Sequence, residues 1–524
     1  MRRVLLAALA ASPLIVACLV APGSLAAQAE FAVPVGRGVL RVNFTPAWLQ
    51  YDHFFGFNTP GYTDGAAVPL AVDLNADSLG VASLPFLGQY QDTLRKATGL
   101  GAFSFNLGRV VTQLSASVRT LPIGIEYGLS RRLSIGMTVP IVRSRVDVNF
   151  AVDTAAAKRS NVGWNWALLK PDTVAAFRGQ MDAALAALRE QAATGPPALR
   201  PEAQGVLEAL LPFRALVGAP FLPRDTTEAG DSITTRLASA EAGYGQLAAQ
   251  YAAAGITLPA LTATLPLPGA SLTRDDLERL FSDPSLPFAA DTLGTVVRTG
   301  IGDITAHATL QFAEGAHYRG QLVVTTRFPT GKAPAANTFL DLGTGTHQLG
   351  VELALANDLL LGSSFLIHGV ARFGGARADQ IPMRVTPPDL PLAPLTQLAT
   401  VKRTPASYLG LEVAPTWLMD DAFSVRVNYS YFNQGPTRHS YVDAADESRV
   451  GLPASVLDEG TGVRLTRIGG GLTFSTLARY EAGHASLPYS VTVTYDNTIW
   501  GRGGRVPQTG MFRIQLRAYI RLFK

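Results

Sequence analysis

The sequence has little charge, a single cysteine and, beyond its N-terminus, no long apolar run. Charged residues make up 16% of the 524 residues, against about 25% in an ordinary soluble domain. A disordered chain would be less hydrophobic than the 47% found here, and one cysteine excludes a disulfide scaffold. The 44 basic and 40 acidic residues nearly balance, so no nucleic-acid partner is expected.

The shortage of long apolar runs also argues against a bundle of transmembrane helices, which needs stretches of about 20 apolar residues. The longest charge-free stretch after the N-terminus, Ala242 to Thr273, is interrupted by Pro259, Pro266 and Gly269. Apolar residues that instead alternate with polar ones are typical of a membrane β-barrel.

The N-terminus has the pattern of an export signal. Arg2 and Arg3 precede an apolar stretch from Val4 to Val20, and Ala27-Gln28-Ala29 matches a signal-peptidase site. Residues 1–29 are therefore predicted to be a cleaved signal peptide, and the bacterial outer membrane is the expected location. An alternative is a lipobox ending at Cys18, which would place a lipid on that residue.

Strand-like alternation recurs along the rest of the chain. In the clearest pair, residues 346–356 and 359–373 flank a turn predicted at Asn357-Asp358, and every second residue is apolar. Such a period of two gives a strand one apolar face. Twelve strands are predicted, near residues 37–51, 112–128, 133–150, 301–313, 317–329, 346–356, 359–373, 406–418, 422–433, 463–477, 487–500 and 509–523.

The links between these strands alternate in length. Links after the even strands are mostly short, whereas most links after the odd strands are long, as over 52–111 and 151–300. An antiparallel barrel then has its long loops at one rim, outside the cell, and its short turns at the other. We predict an all-β fold, an antiparallel transmembrane β-barrel of about 12 strands. The alternative, a soluble β-sandwich or solenoid, would have strands of about five to six residues.

Residues 151–300 form a large α-helical insertion, predicted to be extracellular, between barrel strands in 30–150 and in 301–524. The spacing of Phe177, Met181, Leu185 and Leu188 gives one apolar helical stripe. Further helices are predicted over 202–217 and 231–254, and a capping-box pattern opens a short one at Thr273. Either a helical cap with its own core or a segment that folds back to constrict the pore fits this pattern.

Three glycine-containing motifs occur in order, GIGDI at 300–304, RFPTG at 327–331 and LGTGT at 342–346. This order resembles the outer-membrane transporter-like proteins linked to phenol meta-pathway degradation. The resemblance implies a barrel that passes small hydrophobic or aromatic compounds. The residues themselves indicate strand ends where tight bends or positive φ angles are needed, at Gly302, Gly331, Gly343 and Gly345.

If the apolar faces contact lipid, the alternate residues line the interior, which is polar in such barrels. Both charge signs occur there, and Glu126 or Asp496 could pair with the arginines of the last strand. Two interpretations stay open: a salt-bridged, partly plugged interior, or a lining that selects solutes. The candidate pore-lining residues are Arg41, Glu126, Asp303, His307, Arg327, Glu352, His368, Arg372, Glu412, Arg426, Asp496, Arg513, Arg517 and Arg521.

No catalytic constellation is predicted. Asp303 and His307 share a face but lie four residues apart, about 13 Å along a strand, and Ser364 and His368 are separated in the same way. The predicted turn would place His368 opposite Gln348. No metal-binding spacing occurs, so neither an enzyme nor a cofactor is expected.

Aromatic residues are expected to form belts at the two membrane interfaces. The residues predicted near the outer rim are Trp48, Tyr51, Phe54, Phe55 and Trp500, and those near the inner rim are Tyr127 and Trp417.

The expected function is passive uptake of a small-molecule solute, with outer-membrane lipid, lipopolysaccharide and the barrel-assembly machinery as further partners. The alternative is a structural or adhesive surface protein whose barrel anchors the helical insertion.

Overall fold

Twelve long antiparallel strands form a closed barrel in the computed structural model, which describes residues 35–153, 155, 158–291 and 293–522. Each strand pairs with its neighbours in sequence, and β1 closes the barrel against β12, with Phe44 opposite Leu516. This confirms the predicted fold. The predicted signal peptide and Cys18 lie outside the described residues. The strands are β1 (Val39–Phe44 and Ala47–Tyr51), β2 (Val110–Gly128), β3 (Leu133–Val152), β4 (Val296–Ile301 and Thr305–Glu314), β5 (Tyr318–Arg327), β6 (Gly350–Leu361), β7 (Phe365–Ala376), β8 (Tyr408–Leu418), β9 (Phe423–Gln434), β10 (Val463–Ser475), β11 (Tyr489–Arg502) and β12 (Gly510–Arg521).

Most links after odd strands are longer than those after even strands; the exception is the link after β11, residues 503–509, which is shorter than the link after β10, residues 476–488. We call the end of the barrel that carries the links after β1, β3, β5, β7, β9 and β11 the long-loop end, and the opposite end the short-turn end.

Apolar side chains point outward from the barrel and polar or small ones point inward. Along β6, Val351, Leu353 and Leu355 are 56%, 47% and 41% exposed, whereas Glu352 and Ala354 are buried. A similar alternation runs along parts of β7 and β8. Large apolar side chains exposed in such a continuous band are the surface that a bilayer covers.

Outward-facing aromatic residues ring the short-turn end. Phe365 lies opposite Trp417 in the β7–β8 pair, and Phe423 contacts Phe474 with ring centroids 5.0 Å apart. Tyr489 follows at 6.0 Å from Phe474. This is the girdle that membrane barrels present to the lipid headgroups.

The aromatic belt predicted at the other rim is wrong for Tyr51, Phe54 and Phe55, which are all buried. Tyr51 has the inward parity of β1, because Trp48, three residues earlier, faces outward. Phe54 and Phe55 belong to a short strand that folds back onto another short strand in the long link after β1.

The turn between β6 and β7 lies five residues later than predicted, at Gly362-Ser363-Ser364, not at Asn357-Asp358. Gly362 has a φ of +70°, which suits a tight turn. The predicted pairing of Gln348 with His368 is therefore wrong, and His368 lies opposite Asp358.

Strand β4 contains a bulge at Gly302-Asp303. Ile301 lies opposite Ile141 and Thr305 opposite Thr138, so four steps on β4 match three on β3. The extra residue reverses which alternate residues face inward. Arg298 faces inward on one side of the bulge, and Thr305 and His307 face inward on the other.

A second compact unit comprises Leu74–Val111 and Phe150–Leu280. The predicted stripe of Phe177, Met181, Leu185 and Leu188 is buried within it, and Thr273 forms the predicted capping box with Asp276. The described residues contain no helix long and apolar enough to cross a membrane. The helices of the described residues are α1 (Gly88–Thr98), α2 (Trp166–Leu169), α3 (Pro171–Thr194), α4 (Arg200–Leu216), α5 (Glu228–Ala253), α6 (Arg274–Ser282), α7 (Ala445–Val450) and α8 (Leu477–Glu481).

Three strands in the links at the long-loop end form a separate sheet, Asp379–Arg384, Leu398–Thr404 and Arg438–Tyr441, which we call the rim sheet. Its apolar side packs on Val385 and Leu457. The remaining short elements are the strand pairs His53–Phe55 with Ala67–Pro69 and Val162–Trp164 with Phe221–Pro223, and the 3-10 helices Val72–Leu74, Pro85–Leu87, Leu395–Gln397 and Ala454–Asp458.

An arginine on the lipid-facing band should destabilise the barrel. Leu353→Arg in the middle of β6 is expected to cost about 2–4 kcal/mol of folding free energy in a bilayer. Ser117→Arg, on the outward face of β2 beside the polar Gln50, should cost about 1 kcal/mol or less, because it lies beyond the apolar band. Denaturant titrations of folding into liposomes measure both, and equal costs would contradict a lipid-facing band on β6.

Candidate functional site

The first group of charged interior residues joins β1 to β4. Arg41 and Ser134 both donate hydrogen bonds to the Glu126 carboxylate, and His307 Nε2 lies 3.5 Å from Glu126 Oε2. Arg41 and Glu126 are each 3% exposed. A buried carboxylate held by these donors is a compensated charge.

The second group lies on β6, β7 and β8. Arg372 Nη1 lies 3.6 Å from Glu352 and its Nη2 lies 3.6 Å from Glu412. Tyr408 also donates to Glu352 at 2.6 Å. One arginine thus bridges two acidic residues on flanking strands.

His368 Nδ1 lies 2.5 Å from Asp358 Oδ1 on the neighbouring strand. Gln348, the partner that the sequence predicted for His368, instead donates to Asp379 of the rim sheet at 2.8 Å.

The third group lies on β9, β11 and β12. Asp496 accepts from Arg513 at 3.1 Å and from Asn428 at 3.1 Å. Of the two acidic partners predicted for the arginines of the last strand, Asp496 therefore pairs with Arg513, whereas Glu126 pairs with Arg41 of β1.

The other candidate residues are distributed along the interior. Arg517 is buried, Arg426 and Arg327 are half-buried, and Arg521 is exposed at the short-turn end. Inward register is shared by the set, and their role in lining a pore stays a prediction.

The side chains of Asp303 and His307 contact different partners, although both residues lie on β4. His307 faces Glu126, whereas Asp303 accepts from the backbone N–H groups of Gly331 and Thr346. Within the described parts of the chain, no three His, Cys, Asp or Glu side chains are grouped to hold a metal ion.

The link between β5 and β6, residues 328–349, is held by Asp303, and we call it the inner loop. The Asp303 carboxylate accepts from Gly331 N at 2.9 Å, from Thr346 N at 2.7 Å and from Thr346 Oγ1 at 2.7 Å. Thr330 Oγ1 donates to the carbonyl oxygen of Gly302 at 2.7 Å. The three glycine motifs of the sequence therefore meet at one point.

The glycines of these motifs are required mainly by close packing. A Cβ on Gly331 would lie 2.7 Å from the Cα of Gly345, and a Cβ on Gly345 would lie 2.8 Å from the Cα of Gly331. Positive φ, the other predicted reason, applies to Gly343 at +63°.

Asp341 anchors the inner loop at a second point. Its carboxylate accepts from Gly343 N at 2.9 Å, from Ala335 N at 3.1 Å and from Arg298 Nε of β4 at 3.0 Å. The loop is thus fixed to β4 at both ends through Asp303 and in its interior through Asp341.

A cavity of about 240 Å³ lies among the inner loop, the rim sheet and the inward faces of β5, β7, β8 and β9 at the long-loop end. Its wall is mainly apolar, with a few polar groups. The side chains that shape it include Pro334, Ala336, Phe339, Ala376, Ile381, Met383, Ala406, Tyr408, Phe432 and Leu457, together with Arg327, Asp341, Gln348, Arg384, Arg403 and His439.

Arg384 is the most deeply buried cation of this wall, at 8% exposure. Its Nε donates to the carbonyl oxygen of Ala336 at 2.9 Å, and its Nη1 donates to those of Phe288 and Ala393 at 2.8 Å each. The guanidinium lies over the Phe339 ring, 5.2 Å from its centroid. Burial lowers the pKa of Arg384, yet a guanidinium stays charged at neutral pH.

This cavity was not predicted from the sequence, because much of its wall comes from links in which no strand was predicted. A signal was nevertheless present, since Ile381, Met383 and Val385 alternate with Pro382 and Arg384. That alternation forms the first strand of the rim sheet.

Comparison with known proteins finds no matching family model and no matching curated protein. Among solved structures, an outer membrane channel from Pseudomonas putida F1 is 10% identical, with a TM-score of 0.40, covering 93% of this chain and 97% of that one. The Ralstonia pickettii toluene transporter TbuX is 8% identical, with a TM-score of 0.28 and coverages of 92% and 89%. The translocator domain of the autotransporter NalP from Neisseria meningitidis is 6% identical, with a TM-score of 0.27 and coverages of 96% and 92%.

Likenesses at this level assign neither a family nor a function. The resemblance to the phenol meta-pathway group stays a prediction, and the barrel assignment depends on the strand pairing described above.

Removal of the Asp303 carboxylate should release the inner loop. Asp303→Ala deletes the acceptor of three hydrogen bonds, so the open loop should become at least about tenfold more populated. Trypsin cleavage after Lys332, an exposed residue of this loop, measures the change. Glu314→Ala, which removes an exposed carboxylate from the same strand, should leave the cleavage rate unchanged; equal rates in all three proteins would show that Asp303 does not hold the loop.

Proposed function

We propose that the chain forms an outer-membrane channel for passive uptake of small, mainly hydrophobic or aromatic solutes. The observation that carries this proposal is the apolar cavity at the long-loop end of a transmembrane barrel, bordered by Phe339, Met383, Phe432 and Leu457. An apolar pocket with a few placed polar groups is the usual form of a small-molecule site.

The volume of the cavity limits the size of the solute. A protein cavity of about 150 Å³ is large enough to bind benzene, and the cavity here has about 240 Å³. A single aromatic ring with one or two small substituents fits, whereas a long acyl chain or an oligosaccharide does not.

Side chains on the inward faces of the strands link the wall of the cavity to the charged residues of the barrel interior. Tyr408 borders the cavity and also donates to Glu352, which is paired with Arg372. A solute that leaves the cavity along β8 therefore meets charges that are already compensated. Such charges hold a passing solute weakly, as a conducting path requires.

The closed barrel and its apolar band support an outer-membrane location, because closure satisfies every strand edge inside lipid. Outer-membrane lipid, lipopolysaccharide and the barrel-assembly machinery belong to the same proposal as partners. A cleaved leader over residues 1–29 is part of it as well.

An anchor for the helical unit is the second candidate. The observation in its favour is that Leu74–Val111 and Phe150–Leu280 form a compact unit with a buried core of their own. An anchor needs no path through the barrel, so conductance separates the two functions.

Planar-bilayer conductance of the purified full-length protein tests the channel. Ala406→Trp fills the cavity that Ala406 borders and should lower the conductance several-fold. Ala371→Trp adds the same side chain on the lipid-facing side of β7, where Ala371 is exposed, and should leave the conductance unchanged. A wild-type protein that folds but passes no current, with residues 172–283 present or deleted, would favour the anchor.

A further inference from the structure

We propose that the cavity at the long-loop end binds a small aromatic anion, a single-ring carboxylate, with Arg384 as the residue that receives the negative charge. This inference deepens the proposed function, since it names the class of solute that the same cavity takes.

The first observation is that hydrogen bonds hold the Arg384 guanidinium in place but leave one of its nitrogen atoms without an acceptor among the described residues. Three backbone carbonyl groups, of Ala336, Phe288 and Ala393, fix its Nε and Nη1. Its Nη2 is buried, and no hydrogen-bond acceptor lies within reach of it among the residues that the structure describes. A buried charged donor left in this state costs free energy, and a ligand oxygen would remove that cost.

The second observation is that the nearby carboxylates, Asp341 and Asp379, accept hydrogen bonds from donors other than Arg384. Asp341 accepts from Arg298 and from two backbone N–H groups. Asp379 accepts from Arg403 at 2.7 Å and 3.1 Å, and from Gln348. Neither neutralises Arg384, so the cavity keeps a positive charge with which no acid of the described residues is paired.

Arg327 adds to this positive character. It borders the same cavity, and its buried Nε also has no hydrogen-bond acceptor within the described ranges. The pairs Arg298–Asp341 and Arg403–Asp379 are each neutral. Arg327 and Arg384 therefore leave a net charge of about +2 at the wall, which favours an anion over a neutral solute.

The third observation is the aromatic character of the same wall. The Phe339 ring lies under the Arg384 guanidinium, and the rings of Tyr408 and Phe432 contact each other with centroids 5.5 Å apart. A flat aromatic ring has favourable edge or offset contacts with such rings. Charge and ring contacts together specify an aromatic acid, and the volume restricts it to one ring.

Binding of benzoate and of its neutral isostere benzamide to the full-length protein in detergent, measured by isothermal titration calorimetry, tests the proposal. Wild-type protein should bind benzoate at least about tenfold more tightly than benzamide, because only benzoate compensates the buried guanidinium. Equal affinities would overturn the proposal without any variant.

Three variants locate the charge. Arg384→Met should remove the preference for benzoate, and Arg384→Lys should retain part of it. The matched control is the double variant Arg214→Gln with Asp182→Asn, which deletes an ion pair of the helical unit that does not border the cavity and should keep the preference. An unchanged preference in Arg384→Met, or its loss in the double variant, would overturn the role of Arg384. Heat-modifiable gel mobility shows that each variant is folded.

The two proposals fail in distinguishable ways. A protein that prefers benzoate but passes no current retains the anion site and loses the channel. A protein that conducts but binds benzamide as tightly as benzoate retains the channel and loses the anion site.

Discussion

Every backbone N–H and C=O group inside a bilayer needs a hydrogen-bond partner within the protein, and the rest of this structure depends on that requirement. A sheet satisfies it only by closing, and here β1 pairs with both β2 and β12. Closure fixes an even number of long strands, places apolar side chains outward, and leaves the inward residues in a confined interior. The low charge content of the sequence follows, because half of each strand faces lipid.

Confinement then determines how the interior charges are arranged. Arg41 with Glu126, Arg372 with two glutamates, and Arg513 with Asp496 all join neighbouring strands. Compensated charges of this kind cost less in a low-dielectric interior than isolated ones. Arg384 differs from them, since it lies in the links at the long-loop end and meets backbone carbonyls instead of carboxylates. That difference distinguishes the cavity from the interior below it.

The strands could be predicted from sequence because apolar and polar residues alternate along each of them with a period of two. That alternation follows from which side of a strand faces lipid, so it can be seen within a short stretch of sequence. The turn after β6 could not, since Leu359 and Leu361 continue the alternation past Asn357-Asp358. A pore-lining role for Asp303 stays a prediction, and its partners, Gly331 and Thr346, could not be predicted because they depend on how a link folds back. The cavity was missed for the same reason, because Phe339, Arg384 and Phe432 come together only through tertiary contacts between links and strand ends.

Closure of the barrel by β1 and β12 is the central claim, and a disulfide across that seam tests it most directly. Phe44 and Leu516 lie opposite each other on the outward face, and Cys18 is the natural cysteine of the chain. With Cys18 replaced, Phe44→Cys with Leu516→Cys should crosslink on mild oxidation, because directly opposed Cβ atoms lie about 4.5–5.5 Å apart. Phe44→Cys with Ile520→Cys, four residues out of register, should stay reduced. Crosslinking of the first pair alone is the result we predict, whereas no crosslink in the first pair, or equal crosslinking of both, would contradict a closed barrel with this register.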